Sequence, residues 1–257
     1  MSNEKNEFIP EITINNTGTI KMADIDGVKQ KVEVRAQEGF NIKIKKADGS
    51  YDKSFFLKDL EGVILFDRYQ IQSKYSQSPM YFSNEFEFSG DRNRLRVYSP
   101  EDSKVLYEGD YNGAKEAFAT GKMTGAGTPE KTFDVYSILY VLIEGEVFRF
   151  RWKMNQNNNW FGYKDGCKVD KSSRGDNKDY RGVNTKFSLD TKKFGTNEFW
   201  ACTLQNISEN DRGDADRIGD ELEDKLDKIE ASYNSTETIS SGNTNVEDEI
   251  NVENVPF

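Results

Sequence analysis

The chain of 257 residues is long enough for one large domain or two small ones, yet only 35% of it is hydrophobic and its mean hydropathy is −0.81. No run approaches the roughly 20 apolar residues that span a bilayer. The absence of His excludes Ser-His-Asp and Cys-His catalysis and His-ligated metals, and the net charge of −10 is unevenly distributed.

Strand signals dominate the first half. Val32–Arg35, Phe40–Lys46, Val63–Gln72, Met80–Phe88, Leu95–Tyr98 and Val105–Gly109 are short and β-branched or aromatic, with Gly, Asp, Asn, Ser and Pro between them. A helix is predicted over Asn112–Thr120. The following Gly121–Pro129 holds three glycines without the Gly-Lys-Ser/Thr ending of a phosphate loop, so it reads as a connector. Phe133–Glu144 is the longest apolar run, and Gly145 offers a hairpin turn into Glu146–Met154. Alternation there puts Phe148, Phe150 and Trp152 on one face and Val147, Arg149, Arg151 and Lys153 on the other.

Asn155–Asp179 is polar and reads as a long binding loop, followed by strands at Thr185–Leu189 and Glu198–Leu204. Over Asp214–Ala231, Ile218, Leu222, Leu226 and Ile229 recur at helical spacing, which predicts a charged helix docked on the body; self-association is the alternative. Ser232–Asn251 has no periodicity and reads as a disordered linker. The predicted organisation is therefore a β-rich body over residues 1–208, a charged helix over 209–231 and an acidic tail over 232–257.

Charge follows the same divisions. Glu209–Phe257 holds fifteen acids against four bases, a net of −11, which leaves the rest of the chain at +1. Within the body, Arg149–Lys193 holds twelve bases against five acids, interleaved with Phe150, Trp152, Trp160, Phe161, Tyr163, Tyr180 and Phe187. Cations for phosphates beside flat rings for bases are what a groove for single-stranded nucleic acid needs.

The sequence closes on Val255-Pro256-Phe257 behind an acidic stretch containing Asp248, Glu249 and Glu253. A ring, a stiff Pro and a carboxylate suit a small basic-rimmed pocket on a partner protein. This layout resembles bacterial and phage single-stranded DNA-binding proteins, whose bacterial members end in Asp-Asp-Ile-Pro-Phe. Val255 stands here in place of Ile, and Ile250, Asn251, Val252 and Asn254 dilute the acids.

The resemblance implies an OB-fold-like antiparallel barrel with elaborations that binds single-stranded DNA without sequence preference. The acidic tip would recruit replication, recombination or repair proteins. Phosphates would lie along Arg149, Arg151, Lys153, Lys164, Lys168 and Lys171. Bases would stack among Trp152, Trp160, Phe161 and Tyr163, although Phe148, Phe150 and Trp152 share a face that suits core packing. Arg68 and Tyr69 form a second basic–aromatic group. The acidic tail would also compete with DNA for the groove, so that truncation tightens binding at low salt; unchanged affinity would dismiss that idea.

The N-terminal MSNEKNEFIP lacks the marks of a secretory signal, so a bacterial or phage-infected host cytoplasm is expected, with no membrane partner. In that compartment Cys167 and Cys202 read as thiols rather than a disulfide. No cofactor or metal is expected, and homo-oligomers remain open. Two other classes compete: an adaptor, virion or DNA-mimic protein, and a metal-dependent nuclease built around Glu101, Asp102 and Lys104.

Overall fold

The computed structural model describes residues 9–14, 19–25, 28–34, 40–43, 55–57, 59–73, 81–88, 94–99, 104–119, 133–154, 159–168, 178–194 and 197–237. Its strands are β1 (Glu11–Ile14), β2 (Thr19–Ile25), β3 (Val28–Val34), β4 (Phe40–Lys43), β5 (Phe55–Leu57), β6 (Asp59–Ser73), β7 (Phe82–Ser83), β8 (Leu95–Tyr98), β9 (Val105–Gly109), β10 (Phe133–Ile143), β11 (Glu146–Lys153), β12 (Val183–Phe194) and β13 (Asn197–Glu209). The helices are α1 (Tyr111–Ala119), α2 (Trp160–Gly166) and α3 (Arg212–Glu237), and a 3-10 turn at Asp179–Gly182 leads into β12.

Nine strands form a mixed sheet in the order β5-β4-β1-β11-β10-β6-β7-β8-β9, with β1 parallel to β11 and the other neighbours antiparallel. β2 and β3 form a separate two-stranded ribbon. The central pair β10–β11 turns through Glu144 (φ 50°) and Gly145 (φ 85°), the two positive-φ positions of a tight hairpin. Gly62 of β6 is required by close approach, because a Cβ there would sit 2.6 Å from the Leu142 carbonyl oxygen.

The expected antiparallel barrel is corrected. A barrel closes only when its last strand pairs with its first. Here β6 is 15 residues long and serves three neighbours: residues 59–62 pair with β12, residues 63–73 run along β10, and Gln72 pairs with β7. The sheet therefore forks at β6 instead of closing, and the main path ends openly at β5 and β9. On the other branch, β13 comes close to β1 without pairing. The edge of β13 is blunted twice. The Asn159 amide takes both backbone groups of Leu204 (2.8 and 2.9 Å), and a bulge leaves Ile207 unpaired and 41% exposed.

Three apolar clusters fill the fold. Ile64, Leu139, Phe150, Trp152 and Phe187 anchor the one beneath α2, and Phe86, Leu95, Val97 and Phe118 the one beneath α1. On the opposite face of the central strands, Val63, Leu65, Phe66, Ile138 and Tyr140 are covered by Ala215, Ile218, Leu222 and Leu226 of α3. The helix therefore docks by its apolar stripe, as the spacing predicts, and continues past Ala231 to Glu237. Among the described residues no helix is long and apolar enough to cross a membrane, and both cysteines are buried thiols.

Candidate nucleic-acid interface

Alternation along β11 sorts its side chains as the sequence predicts. Phe150 and Trp152 enter the core, and Arg149 and Arg151 face the other way. The two arginines have different surroundings. Arg149 is buried between Glu11 and Glu85; its Nη2 lies 2.7 Å from a Glu85 oxygen, off the angle of a hydrogen bond, so that contact is ionic. Burial opposes its charge, but Glu85, Tyr140 and Glu11 outweigh that and raise its pKa. A guanidinium enclosed by two carboxylates has little left for a phosphate.

Arg151 has neutral hydrogen-bond partners instead. Its Nε donates to Gln70 Oε1 at 3.1 Å and its Nη2 to Gln72 Oε1 at 2.8 Å, while its guanidinium carbon lies 3.8 Å from the Tyr136 ring centroid. Burial and the charge of Arg149 lower its pKa. Lys153 sits at the same end, 2.7 Å from Asp134. Tyr136 is a candidate site residue that composition alone hides, since it lies inside the longest apolar run. Its signal is positional, because it stands directly opposite Lys153 in the predicted hairpin.

The indoles require a correction. Trp152 and Trp160 are each 2% exposed, so neither presents a face to a base. The polar stretch at Asn155–Asp179 was expected to be a loop, yet its described part folds as α2 and buries Trp160, Tyr163 and Cys167. Their i, i+3, i+7 spacing was the available signal. Trp160 Nε1 donates to Asp67 at 3.1 Å, and the Tyr163 hydroxyl shares a 2.6 Å hydrogen bond with Thr185, its pKa raised by burial. Phe161 alone of this group is exposed, at 50%. Lys164 lies 3.2 Å from Asp67 and Lys168 2.6 Å from Asp165. Because α2 packs on the face opposite Arg151, the predicted groove residues divide between the two sides of the sheet.

Arg68 and Tyr69 are corrected likewise. Arg68 is 5% exposed and clamped by Glu87 and Glu223, the latter at 3.0 Å. The Tyr69 hydroxyl donates to Asp67 at 3.1 Å from a buried ring, and burial raises its pKa. Further cations of the basic segment meet α3 itself. Arg181, 1% exposed, contacts Asp216, Asp220 and Glu223, and Lys178 also contacts Glu223. Arg181 Nε also donates at 2.6 Å to the carbonyl of Leu65, the bulged residue of β6. Asp216, Asp220 and Glu223 share one side of α3, so Lys178 and Arg181 fasten this helix to the sheet.

Lys171 lies outside the described residues, as do Asp248, Glu249, Glu253, Val255, Pro256 and Phe257, and Glu101 and Asp102 of the nuclease alternative. Among the described residues no group of three or more Cys, Asp or Glu side chains could hold a metal ion. No protein-family model, curated protein or solved structure matches this chain.

Proposed function

We propose that the chain binds single-stranded DNA without sequence preference and that its acidic C-terminal stretch contacts replication, recombination or repair proteins. The observation that carries this reading is the outward face of β10 and β11, where Arg151 lies 3.8 Å over the half-buried Tyr136 ring beside Lys153. Cations there meet phosphates and planar groups meet bases, so affinity comes from chemistry that every nucleotide shares.

The geometry also sets the expected salt dependence. Arg149, Lys153, Lys164, Lys168, Lys178 and Arg181 are held by carboxylates, which leaves Arg151, with Lys153 where phosphate displaces Asp134, for about one or two phosphate contacts. The slope of log K against log salt should then be only about −0.7 to −1.4 for a single strand. The test is anisotropy titration of a labelled dT oligomer and of a duplex of equal length at two salt concentrations. Tighter binding to the single strand with that shallow slope supports the reading. Equal affinity for both, or none for either, rejects it.

A second reading has one observation in its favour. The outer side of α3 presents Asp214 (83% exposed), Glu221 (67%) and Asp224 around a single Arg217, an acid-rich row suited to an adaptor or DNA mimic. The same titration separates the two, since a DNA mimic ignores both oligonucleotides.

A further inference from the structure

Single-strand binding, on which this inference rests, does not by itself say where the bases lie. We infer that the base-stacking platform is the sheet surface formed by Tyr136, Arg151, Phe82 and Tyr98, and that it takes two or three unpaired nucleotides. The pairing register places these side chains together. Tyr136 stands opposite Gln70, Gln72 opposite Phe82, and Phe82 opposite Tyr98. Residues directly opposite point to the same face, and so do Gln70 and Gln72, two apart on β6. All four platform residues are partly exposed.

The platform has two planar surfaces. One is the guanidinium of Arg151, laid on the Tyr136 ring and kept flat by Gln70 and Gln72, whose carbonyl oxygens orient it without cancelling its charge. A guanidinium plane stacks on a base as an aromatic ring does, and its positive charge attracts phosphate. The other is the Phe82–Tyr98 pair, with ring centroids 6.0 Å apart. β10 and β7 are separated by one strand, and Tyr136 and Phe82 are offset by two residues along it, so the two surfaces lie about 12 Å apart. That distance spans two or three nucleotides of a single strand at about 3.4 Å or more each.

The rim carries a carboxylate. Glu230 of α3 accepts a hydrogen bond at 2.6 Å from Asn84, which neighbours Gln70 across β6–β7. A phosphate passing there meets like charge, so Glu230→Gln should tighten single-strand binding.

The experiment uses the full chain and its Tyr136→Ala, Arg151→Lys and Phe161→Ala variants, each checked for an unchanged melting temperature. A dT oligomer should bind about tenfold more weakly to Tyr136→Ala and Arg151→Lys. Arg151→Lys should keep the wild-type salt slope, because the charge remains while the plane is lost. Phe161→Ala, on the opposite face, should bind as wild type does. Photocrosslinking of wild type to an iodouracil-substituted oligomer gives a readout that needs no variant, with adducts expected on Tyr136, Phe82 or Tyr98. Adducts confined to α2, with Phe161→Ala the weak binder, would overturn the platform while leaving single-strand binding intact. Wild-type protein that binds no single strand would remove both.

Discussion

Two ends of one sheet face carry the same kinds of residue and are put to different use. Beneath α3, Phe66 and Tyr140 stack with centroids 4.4 Å apart, and Arg68 lies 5.0 Å over the Phe66 ring. At the other end Arg151 lies over Tyr136. The first arginine is met by Glu223 and Glu87, and a helix seals it in; the second is met by two glutamines. A carboxylate neutralises what it holds, whereas an amide oxygen only orients it. The partner, rather than the arginine–aromatic pair, separates a structural clamp from the proposed binding surface.

The strongest way to break this comparison is to remove the carboxylate from the covered end. Glu223→Ala would leave Arg68, Arg181 and Lys178 without a shared buried partner and should cost about 3–5 kcal/mol in urea denaturation. A loss below about 1 kcal/mol would mean that α3 is held by its apolar stripe alone.

Gly219→Ala probes the same clamp more gently. The added Cβ would lie 2.7 Å from Arg181 Nη2 and 2.9 Å from its Cζ. The guanidinium is fixed by three carboxylates and cannot swing aside, so overpacking of about 1–3 kcal/mol should outweigh the roughly 1 kcal/mol gained in helix propensity. A more stable variant would show that Arg181 moves freely.

The smallest effect is expected at Glu230. Burial raises its pKa and Asp227 adds to the rise, against the hydrogen bond from Asn84 and the charges of Arg96 and Arg68. A carboxyl raised in the folded state contributes stability below the ordinary carboxylate value of about 4.3 and loses it as pH rises through the folded value. Glu230→Gln, which resembles the protonated form, should therefore match wild type near pH 4 and be slightly more stable at pH 7. Thermal melts at the two pH values measure this, and a variant less stable at pH 7 would reverse the sign.

The sequence carries the local structure of this chain better than its assembly. β8, β9, β10, β11 and α3 follow directly from the sequence: β10 and α3 are long, β11 alternates, and the short β8 and β9 are β-branched or aromatic runs set off by turn residues. α2 escapes because a seven-residue helix among Asn, Gly and Lys resembles a loop, and only the Trp160, Tyr163, Cys167 spacing betrays it. The fork at β6 is invisible for another reason: strand length shows in a sequence, but the number of neighbours a strand serves does not. The site was legible to the same degree. Arg151 and Lys153, and the face they share, follow from the alternation of β11. That Arg68, Arg149 and Arg181 are used up by Glu223, Glu85 and their neighbours depends on contacts 42 to 155 residues apart, which composition cannot reveal.

Hydrogen exchange of the full chain with and without a saturating dT oligomer tests the central claim most directly. If the half-exposed end of the face binds the strand while the covered end is structural, peptides of β7, β8, β10 and β11 should gain protection and α3 should keep its own. Loss of protection along α3 would mean that DNA displaces the helix to reach Arg68, Lys178 and Arg181, and the division of the sheet face drawn here would be wrong.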